Sequence, residues 1–228
     1  NSPLGEEYDH FLHTPLSLGY GPFSLEMGLV HWINDGLMAI FFFLVGLEIK
    51  REFLFGELKT PSAMVLPVFG ALGGMVVPAI LYSIVNWGSP TMGGWGIPMA
   101  TDIAFALGIM TMAAGSAPLG LVVFLTALAI VDDLGAIIVI ALFYSSQMEW
   151  AALAAGLVAL AVPFLMGRLK VKWFPAYLVC GLFGWYFFLK AGIHPTIAGV
   201  VLGFSIPARE DPKTSMLHEW EERLEPWS

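Results

Sequence analysis

One run decides most of what this chain can be. Residues 119–143 read LGLVVFLTALAIVDDLGAIIVIALF, apolar almost throughout, with two adjacent aspartates near the centre. A transmembrane helix needs roughly 20 mostly apolar residues to cross about 30 Å of hydrocarbon, and this run is long enough. Residues 36–47 (GLMAIFFFLVGL) form a second such stretch. The composition agrees. Only 12% of residues are charged and 57% are hydrophobic, whereas a soluble domain carries about 25% charged residues. The sequence therefore predicts an all-α membrane protein, a polytopic bundle of transmembrane helices. The net charge of −8 offers no basic surface of the kind nucleic acid requires, so no nucleic-acid partner is expected, and membrane lipid is.

Seven spans are expected, at 28–49, 62–85, 94–114, 118–144, 150–166, 174–189 and a shorter one at 196–206. They make up a transmembrane domain at 28–206. Gly70, Gly73, Gly74 and Pro78 fall inside the second span, and small residues let helix backbones approach closely in a bilayer. The segment 1–27 differs: it holds Glu6, Glu7, Asp9 and Glu26 but neither Lys nor Arg. Leu16-Ser17-Leu18 and Phe23-Ser24-Leu25 alternate apolar and polar residues around Gly19-Tyr20-Gly21-Pro22, the pattern of a small extramembrane β-hairpin. A lone hairpin is marginal in water, so it should pack on the membrane domain or on a second copy. Residues 207–228 read as a polar tail or loop. The chain opens at Asn1 without an initiator Met, so its start is expected to lie upstream.

Orientation follows from Lys and Arg. Lys50, Arg51 and Lys59 follow the first span, Arg168, Lys170 and Lys172 the fifth, and Arg209, Lys213 and Arg223 the seventh. Of the ten basic residues, Lys190 alone falls on the other side. The hairpin is thereby placed outside and the tail in the cytoplasm. Cys180 is the single cysteine, which rules out an internal disulfide, and it reads as a small apolar core residue. His10, His13, His31 and His218 have no metal-ligand spacing with another His or Cys, so neither a zinc site nor any cofactor is expected.

Asp132 and Asp133 are the residues that demand chemistry. A carboxylate at mid-bilayer costs about 2.5–3.5 kcal/mol on insertion scales, and a second beside it adds repulsion. Neighbours on a helix point about 100° apart, so one at most faces a given cavity squarely. Asp102, in IPMATDIAFALG, is the third. Pro98 removes a backbone donor and disfavours helix just before it. Thr101 and Asp102 can bond nearby backbone groups, and Asp is a favoured N-cap for a helix starting at Ile103. The third span thus reads as an interrupted helix, two half-helices meeting near mid-membrane, or else as a helix cap at the surface. The apolar residues on both sides favour the interruption. Hard cations take oxygen ligands, and burial and like-charge repulsion favour the neutral form of a carboxylate. A buried carboxylate can then hold either Na⁺ or H⁺. If only the loaded site changes its exposure, competition becomes exchange, and two titrating groups would make that exchange electrogenic.

Glu48, Lys50, Arg51 and Glu52 end the first span. Glu48 and Glu52 share a face, with Arg51 three residues from Glu48. They form either an interfacial charge cluster or a charged funnel that draws cations and responds to pH. His194, beyond Lys190, could sense pH with its unperturbed pKa near 6.5 or serve as an interfacial polar residue.

The stretches WINDGLMAIFFFLVGLEIKRE, PMATDIAFALGI, LTALAIVDDLGAIIVIALFY and KAGIHPTIAGVVLGFSIP resemble the NhaA-type sodium/proton antiporters along nearly the whole chain. The resemblance implies a secondary transporter, not an enzyme, in the bacterial inner membrane, exchanging Na⁺ or Li⁺ for H⁺ in sodium and pH homeostasis. It implies that Asp132 and Asp133 bind the ion, Asp133 more directly. It also implies that Thr101 and Asp102 sit at the break, with Asp102 offsetting helix dipoles. Glu48, Arg51, Glu52 and His194 would then be pH-response groups and the hairpin a homodimerisation element. The family has about twelve spans. The resemblance therefore implies a fragment without the first span and the last four, inactive alone and completed by the rest of the same protein. Rival classes fit less well. Membrane prenyltransferases use DDxxD, whereas Leu134-Gly135-Ala136 follow the pair here. Intramembrane aspartyl proteases place aspartates on separate helices in other contexts. A passive cation channel would conduct without proton coupling.

Overall fold

A computed structural model describes residues 5–19, 24–114, 118–144, 148–208, 217 and 220. Its helices follow the apolar runs. After α1 (Gly5–Leu12) come β1 (Pro15–Leu18) and β2 (Leu25–Gly28), then a continuous helical span 29–54. That span comprises one turn, α2 (Leu29–His31), a π-helical segment Trp32–Leu37, and α3 (Met38–Leu54). The rest of the chain gives α4 (Pro61–Val85), α5 (Ile103–Ala114), α6 (Leu119–Phe143), α7 (Trp150–Arg168), α8 (Phe174–Lys190) and α9 (Thr196–Ser205). Pro61 starts α4, where a missing N–H costs nothing. Pro67 and Pro78 lie inside it, as membrane helices tolerate.

Among the described residues, four helical stretches are long and apolar enough to cross a membrane: Leu29–Leu54, Met64–Val85, Gly120–Phe143 and Trp150–Arg168. The other three expected spans are shorter, with 12 residues in α5, 17 in α8 and 10 in α9. The third span departs most from expectation. Its first half is not an α-helix: a 3₁₀ turn, Pro90–Gly94, ends at the expected start of the span, a second covers Ile97–Met99, and Ala100 is extended. Gly93, Gly94, Gly96 and Pro98 crowd this stretch, and both residue types are poor in α-helix.

The hairpin forms, antiparallel, with Pro15 opposite Gly28 and Leu18 opposite Leu25. Among the described residues its second strand runs Leu25–Gly28; Phe23, where the expected strand begins, lies outside the described residues. The Trp32 indole donates to the Leu16 carbonyl at 3.1 Å and fastens the hairpin to the first span. The helix α1 was not expected from the acidic pattern there.

Three pairings organise the helices: α3 against α9, α7 against α8, and α4 against α6. The α3–α9 pair is the tightest in backbone terms. A Cβ at Gly46 would lie 2.6 Å from the Val200 carbonyl oxygen, and one at Gly203 2.7 Å from that of Phe43. Gly199 and Gly203 on α9 are the small-xxx-small pair that permits this. Phe43, Leu47, Tyr177, Leu202 and Ile206 form one core around it. Val45 and Ile49 of α3, Ala127, Ile130 and Ile137 of α6 and Val200 form another. Gly70 meets Leu128 as the close-packing reading expects, whereas Gly73 and Gly74 face open space among the described residues. In the tail 207–228, Leu217 is buried and Trp220 stacks on Phe174; the greater part of that segment lies outside the described residues.

Candidate functional site

Asp132 stands at the middle of α6 and is 1% exposed. Neither of its carboxylate oxygens has a hydrogen-bond partner among the described residues. A buried polar group normally has one, so this side chain is the strongest local anomaly in the fold. Thr101 approaches it with hydroxyl and backbone N–H, near enough to interact yet short of a well-formed hydrogen bond. The break before α5 therefore lies level with the middle of α6. Asp133, the next residue, is half-buried.

Asp102 caps α5. Its Oδ1 accepts the Phe105 N–H at 3.0 Å, and its carbonyl accepts the first helical bond, from Ala106, at 3.0 Å. This is the N-cap arrangement expected from the sequence, with a carboxylate at the positive end of the helix dipole. Thr101 and Asp102 are both exposed on this chain.

The charge cluster holds together at the end of α3. Arg51 Nη2 lies 3.4 Å from Glu52 Oε1 and 3.9 Å from Glu48 Oε1. Glu48 and Asp132 are both close enough to Asp133 for their charges to act on it. The charge of Glu48 on α3 is thus felt at the pair on α6, which the break before α5 approaches through Thr101.

His194 is not part of it. It lies in the turn before α9, with Nδ1 3.9 Å from Asp35 Oδ1 and 3.4 Å from Thr196 Oγ1. Asp35 was missed by the sequence reading. It sits in the π-helical segment, its side chain 13% exposed, and the Trp185 indole donates to its carbonyl at 2.5 Å. π-Helical turns often mark functional positions. The available signal was an aspartate set in the apolar run WINDGLMAIFF. The sequence places Lys50 in the charge cluster and among the basic residues that set orientation, yet its amine donates to the carbonyls of Phe204 and Ile206.

Among the described residues, no group of three or more His, Cys, Asp or Glu side chains could hold a metal ion. A cation at Asp132 and Asp133 would need further oxygen ligands, from backbone or Thr101 among the described residues.

Comparison with known proteins covers the whole sequence. A family model described as Na⁺/H⁺ antiporter 1 matches residues 1–228. Na(+)/H(+) antiporter NhaA 2 of Clostridium beijerinckii is 56% identical over 231 residues, which cover 100% of this chain and 57% of that protein. Na(+)/H(+) antiporter NhaA of Haemophilus influenzae is 49% identical over 229 residues, covering 100% and 57%. NhaA 1 of Saccharophagus degradans is 50% identical over 217 residues, covering 95% and 46%. The chain spans about half the length of the curated relatives it matches.

Proposed function

Because this multi-pass inner-membrane chain belongs to the Na⁺/H⁺ antiporter 1 family, we propose that the protein exchanges Na⁺ or Li⁺ for H⁺ through Asp132 and Asp133. It acts as a secondary transporter, not as an enzyme, and serves sodium and pH homeostasis. The observation that carries this reading is the carboxylate of Asp132, buried at mid-helix without a hydrogen-bond partner among the described residues. Such a group is costly as a structural element and useful as an ion site.

The mechanism follows from the residues present. Protonated, Asp132 and Asp133 carry no net charge and the site is stable in its apolar surroundings. On losing protons they offer oxygen ligands to a hard cation, with Thr101 beside Asp132 as a neutral donor or acceptor. Asp102 holds the N-terminus of α5 in place, and its charge balances the helix dipole that would otherwise repel a cation. Glu48, Arg51 and Glu52 form the cytoplasmic approach and respond to pH. His194 responds at the outer end, with Asp35. With two titrating carboxylates, more than one proton moves per sodium and the exchange is electrogenic.

Roughly two fifths of these relatives' length lies outside this chain; we infer that the chain is inactive alone and that the remainder of the same protein completes the site. Two copies associate through the hairpin. The test is sodium-induced collapse of a pH gradient in everted vesicles carrying the full-length protein. Wild type collapses the gradient and Asp133→Asn, inserted in equal amount, does not. A mutant that exchanges like wild type removes Asp133 from the mechanism.

A further inference from the structure

The cytoplasmic end of α9 is closed by a side chain from another helix. A helix leaves the carbonyls of its last turn without partners of its own. At α9, Ser205 Oγ donates to the Leu202 carbonyl at 2.6 Å, and the Ile206 N–H to that of Gly203 at 3.3 Å. The carbonyls of Phe204 and Ile206 accept from Lys50 Nζ, at 2.7 and 2.5 Å. The half-buried ammonium of α3 therefore sits at the negative end of the α9 dipole, where a cation is favoured, and its hydrogen bonds are charge-assisted. α9 contributes no titratable side chain to this contact, since its sequence is TIAGVVLGFS. On another side, α7 presses Gly167 against the Ser205 carbonyl, 2.6 Å from where a Cβ would stand. The end of α9 is held between α3 and α7.

Lys50 and Glu48 are two residues apart on α3. At about 100° per residue, their side chains leave the helix about 200° apart, on opposite faces. Val45 and Ile49, about 100° round the helix from Gly46 and Lys50, pack with Ala127 and Ile130 of α6, so fixing Lys50 on α9 sets the rotation of α3 and with it the place of Glu48, whose charge acts on Asp133. We infer that Lys50 is a positioning residue for ion exchange: by capping α9 it sets the rotation of the last turns of α3 and holds Glu48 beside the Asp132–Asp133 pair. The inference rests on the antiport reading for its meaning, but it has a readout of its own.

The experiment uses the full-length protein in everted vesicles and compares Lys50→Met, Glu48→Gln, the double variant and Lys50→Arg. Lys50→Met raises the apparent KM for Na⁺ roughly threefold to tenfold, the scale of one partly screened charge interaction, with little change in maximal rate. Glu48→Gln raises it similarly. The double variant is no worse than Glu48→Gln alone, because both changes remove one interaction. Lys50→Arg, whose guanidinium still reaches two carbonyls, keeps most of the wild-type affinity. A wild-type KM in Lys50→Met, or an effect that adds in full to that of Glu48→Gln, overturns the inference. If Lys50→Met does not accumulate in the membrane, Lys50→Gln takes its place in the same cycle. The transport-free readout is maleimide labelling of Glu48→Cys in a full-length protein whose other cysteines, Cys180 among them, are replaced by Ala. Loss of Lys50 raises the labelling rate severalfold, and an unchanged rate speaks against the positioning role. A wild type without sodium-dependent flux counts against the antiport reading, and labelling then decides the role of Lys50 by itself.

Discussion

Gly203→Ala adds one methyl group where α9 meets α3. That Cβ would lie 2.7 Å from the Phe43 carbonyl oxygen and 2.9 Å from both the Gly46 carbonyl carbon and the Leu47 nitrogen. All three are main-chain atoms inside a helix and cannot swing aside as a side chain can. Ordinary carbon contacts need about 3.5–4.0 Å, so the helices must part locally by about 1 Å. That displacement loosens Phe43, Leu47, Leu202 and Ile206, which pack across the same seam. Overpacking of this kind costs about 1–3 kcal/mol, and the better helix propensity of Ala returns up to about 1 kcal/mol. A net loss of up to about 2 kcal/mol remains, and the fall in melting temperature is smaller than the roughly 2–4 °C per kcal/mol of a 150–250-residue domain, because the full-length protein is longer. The assay is the temperature at which detergent-solubilised full-length protein loses its monodisperse peak. Gly73→Ala is the control, since its Cβ meets nothing within 4 Å among the described residues. A Gly203→Ala protein as stable as wild type, or a control equally destabilised, refutes the claim that backbones touch here.

Other predictions test the local geometry. Asp102→Ala removes the side chain that accepts the Phe105 N–H and costs about 0.5–2 kcal/mol. Asp102→Asn keeps the cap and loses the charge, so thermal stability should fall in the first variant only, while sodium exchange falls in both. Tyr144 donates to the Gly93 carbonyl at 2.9 Å and accepts the Gly96 N–H at 3.0 Å. Tyr144→Phe should speed amide hydrogen exchange in the 3₁₀ turns and leave α4 unchanged. Trp185→Phe deletes the indole N–H that reaches the Asp35 carbonyl, costing about 1 kcal/mol; a melting temperature identical to wild type would show that this bond contributes nothing.

The sequence and the fold agree where one residue type leaves few choices. Carboxylates inside an apolar run could sit only on a span, and α6 places them at its centre. Pro98 and Asp102 announced the break and the cap, because each acts on the backbone within a few residues. The 3₁₀ form of the turns before the break was not legible, since Gly93, Gly94 and Gly96 state only that α-helix is poor there. Contacts between distant segments were hidden for a different reason. Lys50 and Phe204 lie 154 residues apart, and nothing near Lys50 distinguishes an amine that caps a helix from one that faces water. Asp35 and His194 are likewise joined only by the fold. The link between Glu48 and Asp133 also needed the packing of α3 against α6.

The proposed exchange places either protons or sodium on one pair of carboxylates, Asp132 and Asp133. Its most direct test adds NaCl to purified full-length protein in a weakly buffered solution and measures released protons. Proton release is expected to saturate with sodium, to be absent with choline chloride, and to disappear in Asp132→Asn/Asp133→Asn. Sodium binding without proton release, or release that survives in the double variant, contradicts that exchange.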